Sequence, residues 1–340
     1  MKAAIFYGKG DIKVVDVPVK EPAPDEAVMK VAFCGICGTD LHIFHGDEGS
    51  AATTPPCILG HEMSGTIVKV GENVTTLKPG DKVTVDPNTY CGKCYYCKSG
   101  KEHFCNGMIG AGTTIDGGFA EYCTLPEKMF IKVPDSVSYE EAAFAEPISC
   151  CLHGVDLTDI QVGDRVLVIG GGTIGLIMVQ LSRLAGASSV TLIEPDTGKA
   201  ALGLRLGADL CFASCDEYIR SIETEGDRVD RVIECVGKEE TVSCAIEAAS
   251  KGATVMIFSL TKPKAEVSIR PFEIFRKELH ITASFVNPYT QARAVELLAS
   301  KRVQVKDLVS MKIPLEKLAE VLSDGKYRAK TKILVECSHS

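Results

Sequence analysis

No stretch of this sequence is both long enough and apolar enough to read as a membrane span. The longest apolar run, Val166 to Leu181, is broken by four glycines and reads as a strand entering a glycine turn. Positive charge is not in excess: the formal net charge is -8, the pI is near 5.5 and the lysines are scattered. That excludes the electrostatic footprint of a nucleic-acid or acidic-membrane partner. Repeats and low-complexity segments are also lacking. The chain opens on MKAAIFYGKG, with no basic and then apolar leader, which speaks against a secreted disulfide framework, and reduced thiols imply the cytoplasm as the expected compartment. At 340 residues it exceeds what one hydrophobic core usually supports, and two domains are expected.

Cysteine, by contrast, is plentiful: fifteen residues, an odd number. Four of them, Cys91, Cys94, Cys97 and Cys105, lie within fifteen residues at the spacing C-x2-C-x2-C-x7-C. Disulfide frameworks belong to short secreted chains, whereas this spacing lets four thiolates converge on one tetrahedral zinc. With every ligand a cysteine and no position left for water, such a zinc holds a loop and does no chemistry. Cys123, Cys151, Cys211 and Cys244 sit among apolar residues and are expected as small core hydrophobes.

From Met1 to about Ala145 the chain reads as short strands (AAIFY, IKVVDVPV, AVMKVAFCG, GTIVKVG, KVTVD, AEYCTL) separated by turn chemistry at Gly71-Glu72-Asn73 and Lys78-Pro79-Gly80-Asp81. That pattern predicts an irregular β barrel or sandwich. From Ser149 onward strands alternate with helices, as in VLVIG, IGLIMVQLSRLAG and VTLIEP, which predicts a doubly wound parallel sheet and an α/β class overall. After about Phe285 the alternation ends. The expected division is 1–148, 149–286, and a segment 287–340 that returns to the first domain.

Gly170, Gly172 and Gly175 form G-x-G-x-x-G between a predicted strand and a predicted helix opened by Thr173 and Ile174. Such glycines allow a tight turn, close approach of a pyrophosphate and close strand-helix packing, while the helix N-terminus offers free N–H donors. Nineteen residues after Gly175, at the end of the next strand, Glu194 can accept from both ribose hydroxyls. An anion there repels a 2'-phosphate, so NAD is expected over NADP. Lys199 lies either near the ribose or phosphate or on an ordinary exposed helix face.

A second constellation lies in CGICGTDLHIFHG (Cys34 to Gly46), GHEMSG (Gly60 to Gly65) and AEPISCCLHG (Ala145 to Gly154). One thiolate, one imidazole and one carboxylate would leave a fourth zinc position open, as catalysis requires. Spacing alone does not assemble residues more than a hundred positions apart. Together with LGHEMSGTIVKVG, DGGFAEY, GGGTIG and PFEIFRKELHITASF, however, these segments resemble the zinc-dependent medium-chain alcohol dehydrogenase family over essentially the whole chain. Members combine a GroES-like catalytic domain with a Rossmann NAD-binding domain.

The resemblance implies two zinc ions per subunit, one structural and one catalytic. The catalytic ion would be bound by Cys37 and His61, with Glu146 at the third position, directly or through water, and Glu62 close enough to exchange with water or substrate. Glutamate at that position is similar to the sorbitol and polyol dehydrogenase branch. Asp40 would orient His61, and Thr39 and His42 would relay a proton from the substrate oxygen through the nicotinamide ribose. Cys34 is placed as a buried neighbour, although its C-x2-C spacing with Cys37 invites a ligand reading. Further cofactor contacts are implied at Val236, Ser259, Leu260, Ser284 and Phe285. Phe119 and Tyr289 either line the pocket or pack. His45, His103, His280 and His339 are expected on surfaces or loops.

The implied reaction is reversible oxidation of a secondary alcohol, a sugar alcohol or related polyol, to a ketone by hydride transfer. Val286 stands where the polyol branch often has arginine, which weakens the case for sorbitol itself. Phosphorylated polyols and L-threonine-type substrates stay open, since they would want an arginine at the site, and Arg270, Arg276 and Arg293 are available. A non-catalytic zinc and nucleotide binding module is the reading from a different class; an open metal position with a proton relay speaks against it. The resemblance also implies a homodimer or homotetramer.

Overall fold

The computed structural model describes residues 1–47, 52–225 and 228–338; His339 lies outside the described residues. The chain forms two compact units, Met1–Ser149 with Val286–Ser340, and Cys150–Phe285. Among the described residues no helix is long and apolar enough to cross a membrane.

The first unit is built round the strand Glu26–Gly35, whose ten residues are mostly buried because both of its edges are occupied. One edge pairs antiparallel with Glu62–Val70. The other is shared: Glu26–Lys30 pair with Tyr122–Pro126, and Phe33–Gly35 pair with Lys332–Glu336. Lys82–Val85 and Phe130–Lys132 continue the sheet on one side and Val309–Pro314 on the other. A sheet whose central strand changes partner midway, with bulges near Val28 and Val31, curls into an irregular barrel. Met29, Val31, Met63, Ile67, Phe119, Leu125, Leu318 and Val335 fill it. The register sets Gly35 opposite both Glu62 and Leu334, so the last strand of the chain runs beside the segment leading into Cys37.

Polar groups fasten the returning segment. Asn287, fully buried, donates to Ser149 Oγ at 2.8 Å and accepts from Asn88 Nδ2 at 2.7 Å. Thr290 donates to the Ser149 carbonyl at 2.7 Å, and Gln291 to that of Val85 at 3.0 Å. No periodicity announces such a network, because its members are far apart in sequence.

The second unit is a six-stranded parallel sheet in the order Leu210–Phe212, Ser189–Ile193, Arg165–Ile169, Arg231–Glu234, Thr254–Ile257, His280–Ala283. The chain starts at the centre, winds outward, returns and winds the other way, which is the doubly wound order. Burial on both faces explains the unbroken apolar runs, such as Val166 to Ile169. The helix Thr173–Ala185 buries Leu176, Ile177, Met178, Val179 and Leu181 and stops at Gly186, whose φ of 109° supplies the left-handed cap. Cys244 is in the core as expected, but it is more than a small hydrophobe: it is disulfide-paired with Cys215, joining the helices Cys215–Glu225 and Glu239–Ala248. Cys123 and Cys151 are buried outside any disulfide, and Cys211 is half-buried.

Asp86 sits beside the Asn287 network, accepting from the Asn88 N–H at 3.2 Å and from Asn287 Nδ2 at 3.4 Å. Burial outweighs these bonds and pushes its carboxyl from 3.8 up to about 6. The folded state therefore binds this proton more tightly than the unfolded chain does. The resulting stabilisation is present at low pH and is lost as pH rises from about 4 through about 6. Replacing Asp86→Asn keeps the acceptor and removes the charge. Thermal melts should show the variant a few degrees more stable than the parent above about pH 6, with the advantage vanishing near about pH 4.

Candidate metal and cofactor sites

The four-cysteine loop brings Cys91, Cys94, Cys97 and Cys105 together, all ligand atoms within 4.8 Å of one another. Backbone N–H groups are turned onto the sulfurs: Cys91 N on Cys105 Sγ at 3.3 Å, Cys94 N on Cys91 Sγ at 3.4 Å, and Gly107 N on Cys105 Sγ at 3.3 Å. Cys94 also caps the short helix Tyr95–Lys98, accepting from Cys97 N at 3.5 Å. N–H donors aimed at sulfur favour thiolate. The Lys93 and Cys94 N–H groups bring Cys91 down to about 6, whereas desolvation and the neighbouring thiols push Cys97 up to about 12. Four sulfurs so close cannot all carry charge unless a cation sits among them. The loop fits a zinc with no open position.

A second group joins Cys37, His61 and Glu62 within 4.8 Å. Cys37 is the N-cap of the helix Gly38–Phe44, where the Asp40 carboxylate accepts its N–H at 2.9 Å. The other Asp40 oxygen faces His61 Nδ1 at 3.6 Å, and both residues are buried. Burial raises the Asp40 carboxyl, with the His61 charge pulling the other way. Burial likewise opposes charge on His61, yet Asp40 and Cys37 hold it well above its ordinary value. This pocket therefore attracts a cation at the imidazole. A proton can fill that role, and so can a metal, whose binding displaces the proton.

The sequence nominates Glu146 as third ligand and Glu62 as the exchanging one. The tight group instead contains Glu62. Glu146, buried at the start of the helix Ala145–Thr158, is near enough for its charge to act on His61 and Lys332. Lys332 is not among the residues the sequence nominates. Its ammonium donates to both Glu62 oxygens, at 2.7 and 2.5 Å, and to the Ile36 carbonyl at 3.2 Å. Burial works against its charge, but Glu62 and Cys37 outweigh that and raise its pKa. The available signal is a lysine at the head of the apolar run Ile333 to Val335.

Thr39 and His42 lie three residues apart on the helix Gly38–Phe44, hence on one face. His42 Nδ1 is 3.6 Å from Asp47 and partly open to solvent. Cys34 is buried in the barrel core outside the metal group. Phe119 is likewise wholly buried and packs in that core; Tyr289 is exposed, edge-on to Tyr90. His45 packs on Phe44 and His103 on Phe104, while His280 is exposed on the outer strand. Arg270, Arg276 and Arg293 are exposed.

In the second unit the nominated residues gather at the C-terminal ends of adjacent parallel strands, where doubly wound sheets bind ligands. Gly170 has φ 101°, which excludes a side chain without strain. Gly172 caps the helix begun by Thr173 and Ile174, and a Cβ on Gly175 would overlap the Gly170 carbonyl. Glu194 is held over this turn, accepting from Gly171 N at 2.7 Å and Asp196 N at 2.8 Å. Asp196 in turn caps the next helix by accepting from Lys199 N at 2.9 Å. The buried Glu234, which the sequence does not nominate, accepts from Val236 N, Gly237 N and Thr241 Oγ1 and so fixes the turn at Val236. Ser259 donates to the Glu234 carbonyl at 3.4 Å. Leu260 and Phe285 are exposed, while Ser284 is half-buried.

Two outcomes are expected. Changing Cys94→Ser, or stripping metal with a chelator, should lower the melting temperature, the serine variant losing on the order of several kcal/mol of metal-linked stability. The variant Gly175→Ala should stay folded by circular dichroism yet bind NAD at least about a hundredfold more weakly in a fluorescence titration, because its methyl group must displace the turn.

Comparison with known proteins agrees with this geometry. The family model described as alcohol dehydrogenase GroES-like domain matches residues 23–135, and that described as zinc-binding dehydrogenase matches residues 173–300. Sorbitol dehydrogenase of Gallus gallus is 32% identical over 98% of this chain and 96% of its own length. D-arabitol-phosphate dehydrogenase of Enterococcus avium is 32% identical over 97% and 95%. A zinc-binding dehydrogenase from Sinorhizobium meliloti, solved with NADP bound, superposes with a TM-score of 0.91 at 38% identity, covering 98% of both chains. The chain thus belongs to the zinc-binding alcohol dehydrogenase family, as an oxidoreductase acting on CH–OH groups with zinc and a nicotinamide cofactor.

Proposed function

We propose that this enzyme oxidises a secondary hydroxyl of a polyol to a ketone, reversibly and with NAD. The observation that carries the reading is the cluster of the half-buried Cys37 with the buried His61 and Glu62, backed by Asp40, whose donor atoms lie close enough together to hold one metal ion. When bound, zinc supplies Lewis acidity that brings a hydroxyl pKa toward neutrality, and the dinucleotide takes the hydride.

The remaining work falls to side chains. Asp40 Oδ1 faces Nδ1 of His61 at 3.6 Å, where its charge favours the tautomer with the proton on Nδ1 and would leave Nε2 for the metal. Thr39 and His42, on one helix face, carry the substrate proton outward, and the partly exposed His42 hands it to solvent beside Asp47. Glu194 reads the ribose hydroxyls and disfavours a 2'-phosphate. Lys199, Val236, Ser259, Leu260, Ser284 and Phe285 complete the cofactor contacts.

Polyol chemistry is supported by the relatedness to sorbitol dehydrogenase. The equally similar D-arabitol-phosphate dehydrogenase supports a second reading, a phosphorylated polyol. We further infer a homodimer or homotetramer, supported by the outermost strand His280–Ala283, which is paired on one side only and largely exposed. A loop spaced for zinc must keep its four cysteines as thiolates to bind the ion, which supports a cytoplasmic setting.

A panel of pentitols, hexitols and their phosphates, assayed by NAD reduction with and without a chelator, tests the reading. Turnover of a plain polyol that is lost on chelation is expected, and the variant Cys37→Ser should fall at least about a thousandfold while its melting temperature stays within a few degrees. Turnover confined to phosphorylated substrates would favour the second reading. No turnover on any alcohol contradicts both.

A further inference from the structure

Among the described residues Lys332 is the only lysine or arginine that is buried, and its partner is a member of the metal group. We propose that Lys332 is a positioning residue that competes with the metal for the Glu62 carboxylate, holding Glu62 beside the ion as a reserve ligand and thereby keeping a coordination position open for substrate. The inference rests on the reading of Cys37 and His61 as metal ligands and goes beyond it.

The argument begins with three strands. Glu62 lies opposite Gly35 in the sheet, and a Cβ on Gly35 would overlap the carboxylate, so glycine leaves the space in which that side chain lies. On the other edge of the same strand Leu334 lies opposite Gly35, and Ile36 N donates to the Ile333 carbonyl at 3.0 Å. Backbone pairing thus fixes Lys332 within reach of Glu62, although the two are separated by 270 residues. The three ammonium donors are used on two Glu62 oxygens and the Ile36 carbonyl, with geometry that satisfies a buried cation.

Both partners of the tether matter to the metal. Glu62 is within 4.8 Å of the Cys37 and His61 ligand atoms, close enough to turn onto an ion there. Doing so would weaken its hold on Lys332 and leave a buried ammonium poorly compensated, which is strongly unfavourable. With the tether intact the ion keeps fewer protein ligands. With it cut, the Glu62 carboxylate loses the cation that holds it and is left within reach of the metal.

Cobalt(II) is the probe, since zinc has no d-electron transitions and cobalt accepts the same ligands. Wild type, Lys332→Met, Lys332→Arg, Glu62→Gln and the double variant Lys332→Met with Glu62→Gln are loaded with cobalt. Chelator competition then measures affinity and visible difference spectra report coordination; the four-cysteine loop contributes equally to all and cancels. In Lys332→Met the affinity should rise at least about tenfold, with a changed visible band as a carboxylate joins the ion. The arginine variant keeps the charge and should match wild type. In the Glu62→Gln background the lysine change should leave the band unmoved. Should the methionine variant not fold, Lys332→Gln makes the same comparison, with a change in the same direction expected.

An unaltered band and affinity in the neutral Lys332 variants would overturn the proposal, and so would a shift that persists without Glu62. Wild type that takes up metal only in the four-cysteine loop would instead overturn the reading of the Cys37 site on which the proposal stands.

Discussion

The buried carboxyl groups of Asp40, Glu62 and Glu146 gather with one imidazole, His61, and one ammonium, Lys332, beside the half-buried Cys37, and the cost of keeping that much negative charge out of water governs how the site is built. Each neighbouring feature answers to it. The His61 ring lies between Asp40 and the thiol of Cys37, Lys332 is drawn into a strand that would otherwise be apolar, and Gly35 makes room for the carboxylate that meets it. A dication on Cys37 and His61 is the natural completion. The pocket is rich in anions because it is made for a cation.

The two metal groups differ in how they are closed. In the loop from Cys91 to Cys105 the ligands are four sulfurs, and local backbone N–H groups steady them, so the site is contained within fifteen residues. Its counterpart draws ligands from the cap of one helix and from one strand, with a nearby carboxylate at the head of a second helix and a lysine from the last strand of the chain. The first can fold round its ion almost independently of the barrel. The second exists only when the barrel is complete, which joins stability of the returning segment to chemistry at Cys37.

Legibility in the sequence followed the same division. The glycine turn from Gly170 to Gly175, Glu194 after it and the four-cysteine spacing could be read directly because their geometry is local, set by a strand, a turn and a few peptide units. The parallel sheet was legible because its strands alternate with helices along the chain, a pattern set by local segments. Cys37, His61 and Glu146 could be proposed together only through family resemblance. Lys332, the Asn287 network, the Cys215–Cys244 pair and the dominance of Glu62 over Glu146 in the tight group depend on pairing between distant segments, which no local pattern encodes. Phe119 shows the converse: an aromatic at a glycine-rich turn, equally suited by sequence to a pocket wall or a core, lies in the core.

The account stands on one closed and one open zinc site in each chain. X-ray absorption at the zinc edge, combined with metal analysis of the purified protein, tests that most directly. The account predicts two zinc ions per chain, one on each of the two groups, and an average of about 2.5 sulfur neighbours per zinc, the rest being nitrogen and oxygen. One zinc per chain surrounded by about four sulfurs would contradict it, since the pocket of Cys37, His61 and Glu62 would then hold no metal.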